Sequence, residues 1–206
     1  MDRPLPRILV IDDEFGRTVT DGANRDRERI CSALGLVDVT EPGRAPMRAS
    51  EGAVAEAVFV RGQKPAKAAV GDVVENDLEG ALESIAGGWR SDEGSMQPWA
   101  MVLLDLAFCT GPVTTESDAD QPGMAEGRTA DLQPASYFGL RILEAVRESF
   151  PRVPVAVLSS QGRSAVDAPI DRLGHCGFVS KTGEDSAGYL ASVLWRHGLF
   201  PDPEDT

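Results

Sequence analysis

The sequence of 206 residues contains little cysteine and no long apolar run. Its three cysteines, Cys31, Cys109 and Cys176, are odd in number, lie far apart and form no CxxC pair. This pattern argues against a disulfide framework or a zinc site and is typical of a reducing compartment. No apolar run reaches membrane-spanning length, and the N-terminal run is too short for a signal peptide. We therefore expect a cytoplasmic protein with no membrane partner.

Positive charge is also scarce in this chain. It has 20 basic against 33 acidic residues and a formal net charge of -13. Because such a surface repels phosphate backbones and no basic patch is visible, we expect no direct contact with nucleic acid. Only Lys64, Lys67 and Lys181 are lysines, and all other basic residues are arginines. A lysine retained in that background is a weak sign of ammonium chemistry that a guanidinium cannot copy.

Short segments of continuous apolar character alternate with helical patterns along the chain. Continuous hydrophobicity predicts strands buried on both faces, as in a parallel sheet covered by helices. The pattern therefore predicts an α/β fold with a doubly wound, five-stranded parallel sheet. The predicted strands are 8–11, 57–60, 100–104, 153–158 and 177–180, and the predicted helices are 24–35, 76–88, 136–150 and 184–198.

Three segments do not fit this alternation. Residues 16–23, 41–54 and 110–135 are rich in Gly, Pro, Ser, Thr and acids, which is typical of loops or disorder. The last is long enough to indicate a lid, a binding loop or a disordered insertion. We expect one domain over residues 1–200 with insertions in these places, and a tail or linker over 201–206. The chain is then either a stand-alone protein or part of a longer one.

Polar residues follow the predicted strands at four equivalent places. In open parallel sheets the carboxyl ends of the strands form one edge, where ligands bind. Converging carboxylates favour Mg²⁺, and an ammonium with a hydroxyl suits a phosphoryl group. Taken singly, an aspartate after a strand could cap a helix, a serine could form a turn and a lysine could be solvated. The residues concerned are Asp12, Asp13, Asp105, Ser159, Ser160 and Lys181.

The segments "ILVIDDE", "VLLDLAF", "VAVLSSQG" and "GFVSKTG" together resemble the response-regulator receiver domain of two-component signalling. That family has an acidic pair after its first strand, an Asp after its third, Ser or Thr after its fourth and Lys after its fifth. Gly139 also matches the family's glycine before the third helix, and Gly177 and Phe178 match its Gly-aromatic-x-x-Lys ending. The resemblance implies a flavodoxin-like fold.

The resemblance also implies a role for each matching residue. Asp105 would accept a phosphoryl group, and Asp13 would bind Mg²⁺, with Asp12 as a further ligand or a supporting carboxylate. The backbone carbonyl of Ala107 would complete the metal site. Lys181 would pair with Asp105 and the phosphoryl group, Ser159 would hydrogen-bond that group once attached, and Ser160 and Phe178 would belong to the switch that responds.

The implied partners are a sensor histidine kinase or phosphotransfer protein upstream, and a downstream protein or output domain. A homodimer is one of the assemblies that the resemblance allows. No classical enzyme is implied, only self-directed phosphoryl transfer and autodephosphorylation. Thr182 and Cys109 depart from the family, which usually has proline at both positions. Pro169 lies in the region 163–175 that matches the family's fourth helix, and it predicts that this helix is short, because proline is tolerated only in a first turn.

Two rival interpretations remain open at this point. A haloacid-dehalogenase-like phosphatase also has Asp, Ser or Thr and Lys at strand ends. However, it needs an acid two residues after its nucleophile, where this chain has Ala107, and its acidic pair follows the lysine. The second rival is a receiver-like module that binds a protein or a ligand without phosphorylation, which the departures at Thr182 and Cys109 favour.

Overall fold

A computed structural model gives the fold of the chain. The structure describes residues 5–13, 21–40, 53–65, 73–91, 93–108, 111–112, 137–159, 173–175, 177–181 and 185–199. Its elements in chain order are β1 (Arg7–Ile11), α1 (Asp21–Leu34), β2 (Leu36–Asp38), β3 (Ala55–Val60), β4 (Gln63–Pro65), β5 (Val73–Asn76), α2 (Leu78–Gly87), β6 (Trp89–Arg90), β7 (Met96–Gln97), β8 (Met101–Asp105), β9 (Gly111–Pro112), α3 (Phe138–Ser149), β10 (Val155–Ser159), β11 (Gly177–Ser180) and α4 (Ser186–Arg196).

The main sheet has six strands in the order β11-β10-β8-β1-β3-β2, and the register of each neighbouring pair is parallel. Strand β1 lies in the interior of the sheet, with Ile11 opposite Val60 of β3 on one side and Leu104 of β8 on the other. Every residue of β8 and β10 is buried, as their continuous apolar sequences predict. The α/β class and the parallel sheet are therefore confirmed.

Helices cover both faces of this sheet. Alternate side chains of β1 divide between two cores: Ile8 and Val10 pack with residues of α1 and α4, and Leu9 and Ile11 pack with residues of α2 and α3. Successive side chains of a strand point to opposite faces, so an apolar run of four residues supplies both cores. Among the described helices, none combines the length and the apolar character needed to cross a bilayer.

The predicted number of strands was wrong, because β2 adds a sixth strand at the edge beside β3. Three residues are too short to give a recognisable hydrophobic pattern. All four helix starts differ from the predicted ones by two or three residues: α1 begins at Asp21, inside the predicted insertion 16–23, and Asn76 belongs to β5 while Asp77 caps α2. The cap is an Asp77 carboxylate that accepts a hydrogen bond from the backbone N–H of Gly80.

A second, three-stranded antiparallel sheet was not predicted. It has the order β4-β5-β9 and follows directly from the carboxyl end of β3. Strand β9 lies within the segment 110–135 that was predicted as a loop, and its Pro112 pairs with Val73 of β5. The segment that begins six residues after Asp105 is thus paired with β5 of the β4–β5 hairpin. Of the region 163–175, where a further short helix was predicted, residues 163–172 lie outside the described residues.

Candidate functional site

The carboxyl ends of β1 and β8 bring three aspartates together. Asp12 and Asp13 directly follow β1, and Asp105 is the last residue of β8, the neighbouring parallel strand. One carboxylate oxygen from each of the three lies within 4.8 Å of the others. All three side chains are buried. Concentrating three carboxylates in this way is unfavourable unless cations offset their charge.

Lys181 supplies such a cation. It follows β11, and its buried Nζ lies 2.6 Å from Oδ2 of Asp12 and 3.2 Å from Oδ2 of Asp105. Its backbone N–H donates a hydrogen bond of 3.0 Å to the carbonyl of Ser159, which holds the end of β11 against the end of β10. The lysine side chain therefore reaches across the sheet edge to the two strands that carry the acids.

Ser159 ends β10 between these groups. In the sheet, Leu158 pairs with Asp105 and Ser159 pairs with Ser180, so the serine lies beside both the acid strand and the lysine strand. Its side chain is buried. The structure thus brings Asp12, Asp13, Asp105, Ser159 and Lys181 to one edge of the sheet. Ser160 and Thr182 lie outside the described residues.

The backbone around Asp105 is held tightly. Oδ1 of Asp105 accepts a hydrogen bond of 2.8 Å from the N–H of Leu106, and the carbonyl of Leu106 accepts one of 3.1 Å from Gly139. A Cβ added to Gly139 would lie 2.0 Å from the backbone oxygen of Asp105. Helix α3 can begin this close to the site only because residue 139 has no side chain. This contact explains physically why residue 139, which the sequence motif singled out, is a glycine.

The aromatic residue before the lysine belongs to a small cluster beside the site. Phe178 and Ala107 are half-buried and pack against Leu106, Tyr137, Leu140 and Val157. Sequence reasoning identified Phe178 and Ala107 but missed Leu106 and Tyr137, which directly follow Asp105 and directly precede α3. Their role depends on tertiary packing, and no local pattern in the sequence indicates it.

The residues present fit a hard divalent cation. Carboxylates are the ligands that Mg²⁺ and Mn²⁺ prefer, and the three acids are the only group of potential metal ligands found among the described residues. Lys181 already neutralises part of their charge from the side of Asp12. Each of the three aspartates can offer one carboxylate oxygen to such a cation.

The β4–β5 hairpin contributes an ion pair near this edge of the sheet. Nζ of Lys64 lies 3.0 Å from Oδ1 of Asp77. The hydrogen bond from Lys64 lowers the pKa of Asp77 below its ordinary value of 3.8, with help from the N–H of Gly80. The same hydrogen bond raises the pKa of Lys64 above 10.5. Both groups therefore remain charged at neutral pH.

Comparison with known proteins gives similarities only to solved structures. No family model matches the chain, and no curated protein matches it. The bacteriophytochrome response regulator AtBRR is 19% identical with a TM-score of 0.48, and 97% of each chain is covered. The phosphorylated cyanobacterial phytochrome response regulator RcpA is 14% identical with a TM-score of 0.47, covering 92% of this chain and 91% of its own.

A third solved structure is the Mn²⁺-bound form of response regulator Rcp1, which is 12% identical with a TM-score of 0.44 and covers 92% of this chain and 91% of its own. All three of these structures are response regulators. Because their identities and TM-scores are low, these similarities alone do not assign a function to the chain.

Proposed function

We propose that the chain is a phospho-acceptor receiver domain that takes a phosphoryl group onto Asp105. One observation carries this proposal: Asp105 is buried beside the Lys181 ammonium, at 3.2 Å, while Asp12 and Asp13 complete an acidic cluster around it. A buried carboxylate held between a cation and further acids suits transfer of an anionic group assisted by a metal. The matching sequence motifs support the same interpretation.

In this proposal a carboxylate oxygen of Asp105 attacks the phosphorus of a phosphohistidine. The new O–P bond forms as the N–P bond breaks, and the imidazole leaves with the bonding electron pair. Bound Mg²⁺, held by Asp13, Asp105 and the carbonyl of Ala107, would neutralise charge on the phosphoryl oxygens. Lys181, whose Nζ lies 3.2 Å from Oδ2 of Asp105, would offset part of the remaining charge, as electrostatic stabilisation of this reaction requires.

Ser159 acts after the transfer. It ends the strand adjacent to Asp105, so its hydroxyl can donate a hydrogen bond to a phosphoryl oxygen on that residue. Phe178 lies two residues before the end of β11 and packs with Leu106, the residue next to the acceptor. Movement of Ser159 toward the new anion would therefore shift Phe178 and the residues packed with it. That shift would change the surface that a partner contacts.

The partners follow from this chemistry. A histidine kinase or a phosphotransfer protein would supply the phosphoryl group, and a downstream protein or output domain would respond to it. In this proposal the chain catalyses only the transfer of the phosphoryl group onto its own Asp105 and the later hydrolysis of that group, so it acts as a switch. Cytoplasmic location and Mg²⁺ as the resident metal are parts of the same proposal.

The proposal is tested by incubating the protein with acetyl phosphate, with and without Mg²⁺, and measuring intact mass. We expect a gain of one phosphoryl group that needs Mg²⁺ and is absent in Asp105→Asn. Folding of both proteins is checked by circular dichroism. A folded wild-type protein that gains no phosphoryl group would contradict the proposal and favour a receiver-like module that binds its partner without phosphorylation.

A further inference from the structure

Arg61 is a second basic residue at the carboxyl edge of the sheet, and sequence reasoning did not single it out. It directly follows β3, the strand that pairs with β1. Its Nε and Nη2 atoms are both buried. Arginine side chains are mostly exposed, so buried guanidinium nitrogens are uncommon. Because Arg61 follows the strand next to β1, which leads into two of the acids, we asked what its charge does there.

The register places Arg61 beside Asp12. The N–H of Asp12 donates a hydrogen bond of 3.1 Å to the carbonyl of Val60, which continues the parallel ladder one residue beyond the pair formed by Ile11 and Val60. Arg61 directly follows Val60, so the backbones of Asp12 and Arg61 leave the ends of β1 and β3 side by side. Adjacent strands lie only about 5 Å apart, so the two residues begin close together.

Their side chains also belong to the same face of the sheet. Phe59 and Val10 pair in the register and both pack in the core formed with α1 and α4. Arg61 and Asp12 directly follow β3 and β1, two residues beyond Phe59 and Val10, so the alternation of side chains assigns both to that face. We therefore expect the guanidinium of Arg61 on the same side of the sheet as the carboxylate of Asp12.

The backbone after Arg61 is fixed by its surroundings. Gly62 has a φ of +63°, and a Cβ added there would lie 2.8 Å from Phe108 and 3.0 Å from Ile11. The carbonyl of Gly62 accepts a hydrogen bond of 2.9 Å from the N–H of Asp77 at the start of α2. These contacts hold the end of β3 against β1, and they keep Arg61 next to the site.

We propose that Arg61 is a positioning residue of the acidic site that offsets the charge of Asp12 and lowers the affinity of the site for a divalent cation. The inference rests on the proposed function, in which the acidic site binds Mg²⁺. Asp12 would then have two cations near it: Lys181, with Nζ at 2.6 Å, and Arg61, which directly follows the neighbouring strand β3. Held in this way, Asp12 orients Lys181, while Asp13 and Asp105 provide the carboxylates for the metal.

The physical consequence is that Arg61 lowers the affinity of the acidic site for Mg²⁺ without contacting the metal. A guanidinium one strand away from Asp12 repels a dication bound to the neighbouring acids. By Coulomb's law, removing a unit charge about 8 Å from a dication in water changes the affinity for that dication by about fivefold. A residue with a merely structural role would leave the affinity unchanged or weaken it, because its loss would loosen the site.

The experiment is a calorimetric titration of Mg²⁺ into the whole chain. The variants are Arg61→Gln and Arg61→Met, which remove the charge, and Arg61→Lys, which keeps it. Arg90→Gln is the matched control, because Arg90 is exposed and directly follows Trp89, whose ring lies against the guanidinium of Arg7 at the amino end of β1. We expect Kd to fall about fivefold in the neutral Arg61 variants and to stay near the wild-type value in the other two.

An unchanged or higher Kd in Arg61→Gln and Arg61→Met would overturn the inference. So would the same fall in Arg61→Lys, since that variant keeps the charge. Intact-mass analysis with acetyl phosphate on the same samples separates the two proposals. A wild-type protein that is phosphorylated while the Arg61 variants leave Kd unchanged contradicts the inference alone, and a wild-type protein that neither binds Mg²⁺ nor gains a phosphoryl group contradicts both.

Discussion

The ammonium of Lys181 lies 2.6 Å from Oδ2 of Asp12, closer than its 3.2 Å approach to Asp105. Both partners of this pair are buried. Lys181 is thus oriented by a carboxylate other than the proposed acceptor. A phosphoryl group transferred to Asp105 would therefore lie beside an ammonium that is already in place. Asp12 neutralises only part of the charge of that ammonium.

Replacing Lys181 with Met should destabilise the fold. The variant leaves Asp12 and Asp105 buried without their cation, and breaking a buried ion pair on one side costs about 3–5 kcal/mol. Mg²⁺ should restore part of this loss, because it binds the folded protein and offsets the same charge. Urea unfolding with and without Mg²⁺ measures both effects. Lys64→Met, at a half-exposed lysine, is the control, and equal stability of the two variants without metal would contradict the prediction.

Replacing Gly139 with Ala should disturb the site through the backbone. The added Cβ would lie 2.0 Å from the carbonyl oxygen of Asp105, so α3 or the end of β8 must shift. We expect a loss of about 1–3 kcal/mol in unfolding free energy, together with slower phosphorylation of Asp105. Gly87→Ala is the matched control. Nothing lies within 4 Å of a Cβ at Gly87, and alanine in a helix is favoured by about 0.5–1 kcal/mol.

The pair of Lys64 and Asp77 should give stability a pH dependence at both extremes. The pKa of Asp77 is lowered in the folded state, so its contribution is present above the unfolded value of 3.8 and is lost as pH falls through the folded pKa. The pKa of Lys64 is raised, so its contribution is present below 10.5 and is lost as pH rises through the folded pKa.

Asp77→Asn tests this pair. Asn caps a helix about as well as Asp, so the variant keeps the cap and removes the charge. Urea unfolding from pH 7 down to about pH 2 should show a gap between wild type and variant that closes in acid as Asp77 is protonated. A gap of constant size across that range would show that the charge of Asp77 contributes nothing to the stability of the fold.

Much of the fold follows from short-range sequence patterns. The continuous apolar runs at 8–11 and 100–104 predict the strands β1 and β8, because a strand buried on both faces has no solvent-facing polar position. The acids and the lysine could be placed together for a simple reason: each directly follows or ends a strand, and parallel strands share one carboxyl edge. Gly139 was noticed from its motif, and the structure supplies the contact that requires a glycine.

Other features depend on non-local pairing. Strands β2 and β9 have three and two residues, which is too short for a hydrophobic period, and they exist only because β3 and β5 pair with them. Arg61 gave no signal among many arginines, since its relation to Asp12 depends on the register of β3 against β1. Tyr137 likewise gains its place near Phe178 only through tertiary packing.

The most direct test of the phospho-acceptor proposal is to locate the phosphoryl group on the chain. Protein treated with acetyl phosphate and Mg²⁺ is reduced with borohydride, which converts an aspartyl phosphate to homoserine, and is then digested and sequenced by tandem mass spectrometry. We predict homoserine at position 105, only in the sample that received both reagents. Homoserine at position 12 or 13, or none at all in a folded protein, would contradict the assignment of Asp105 as the acceptor.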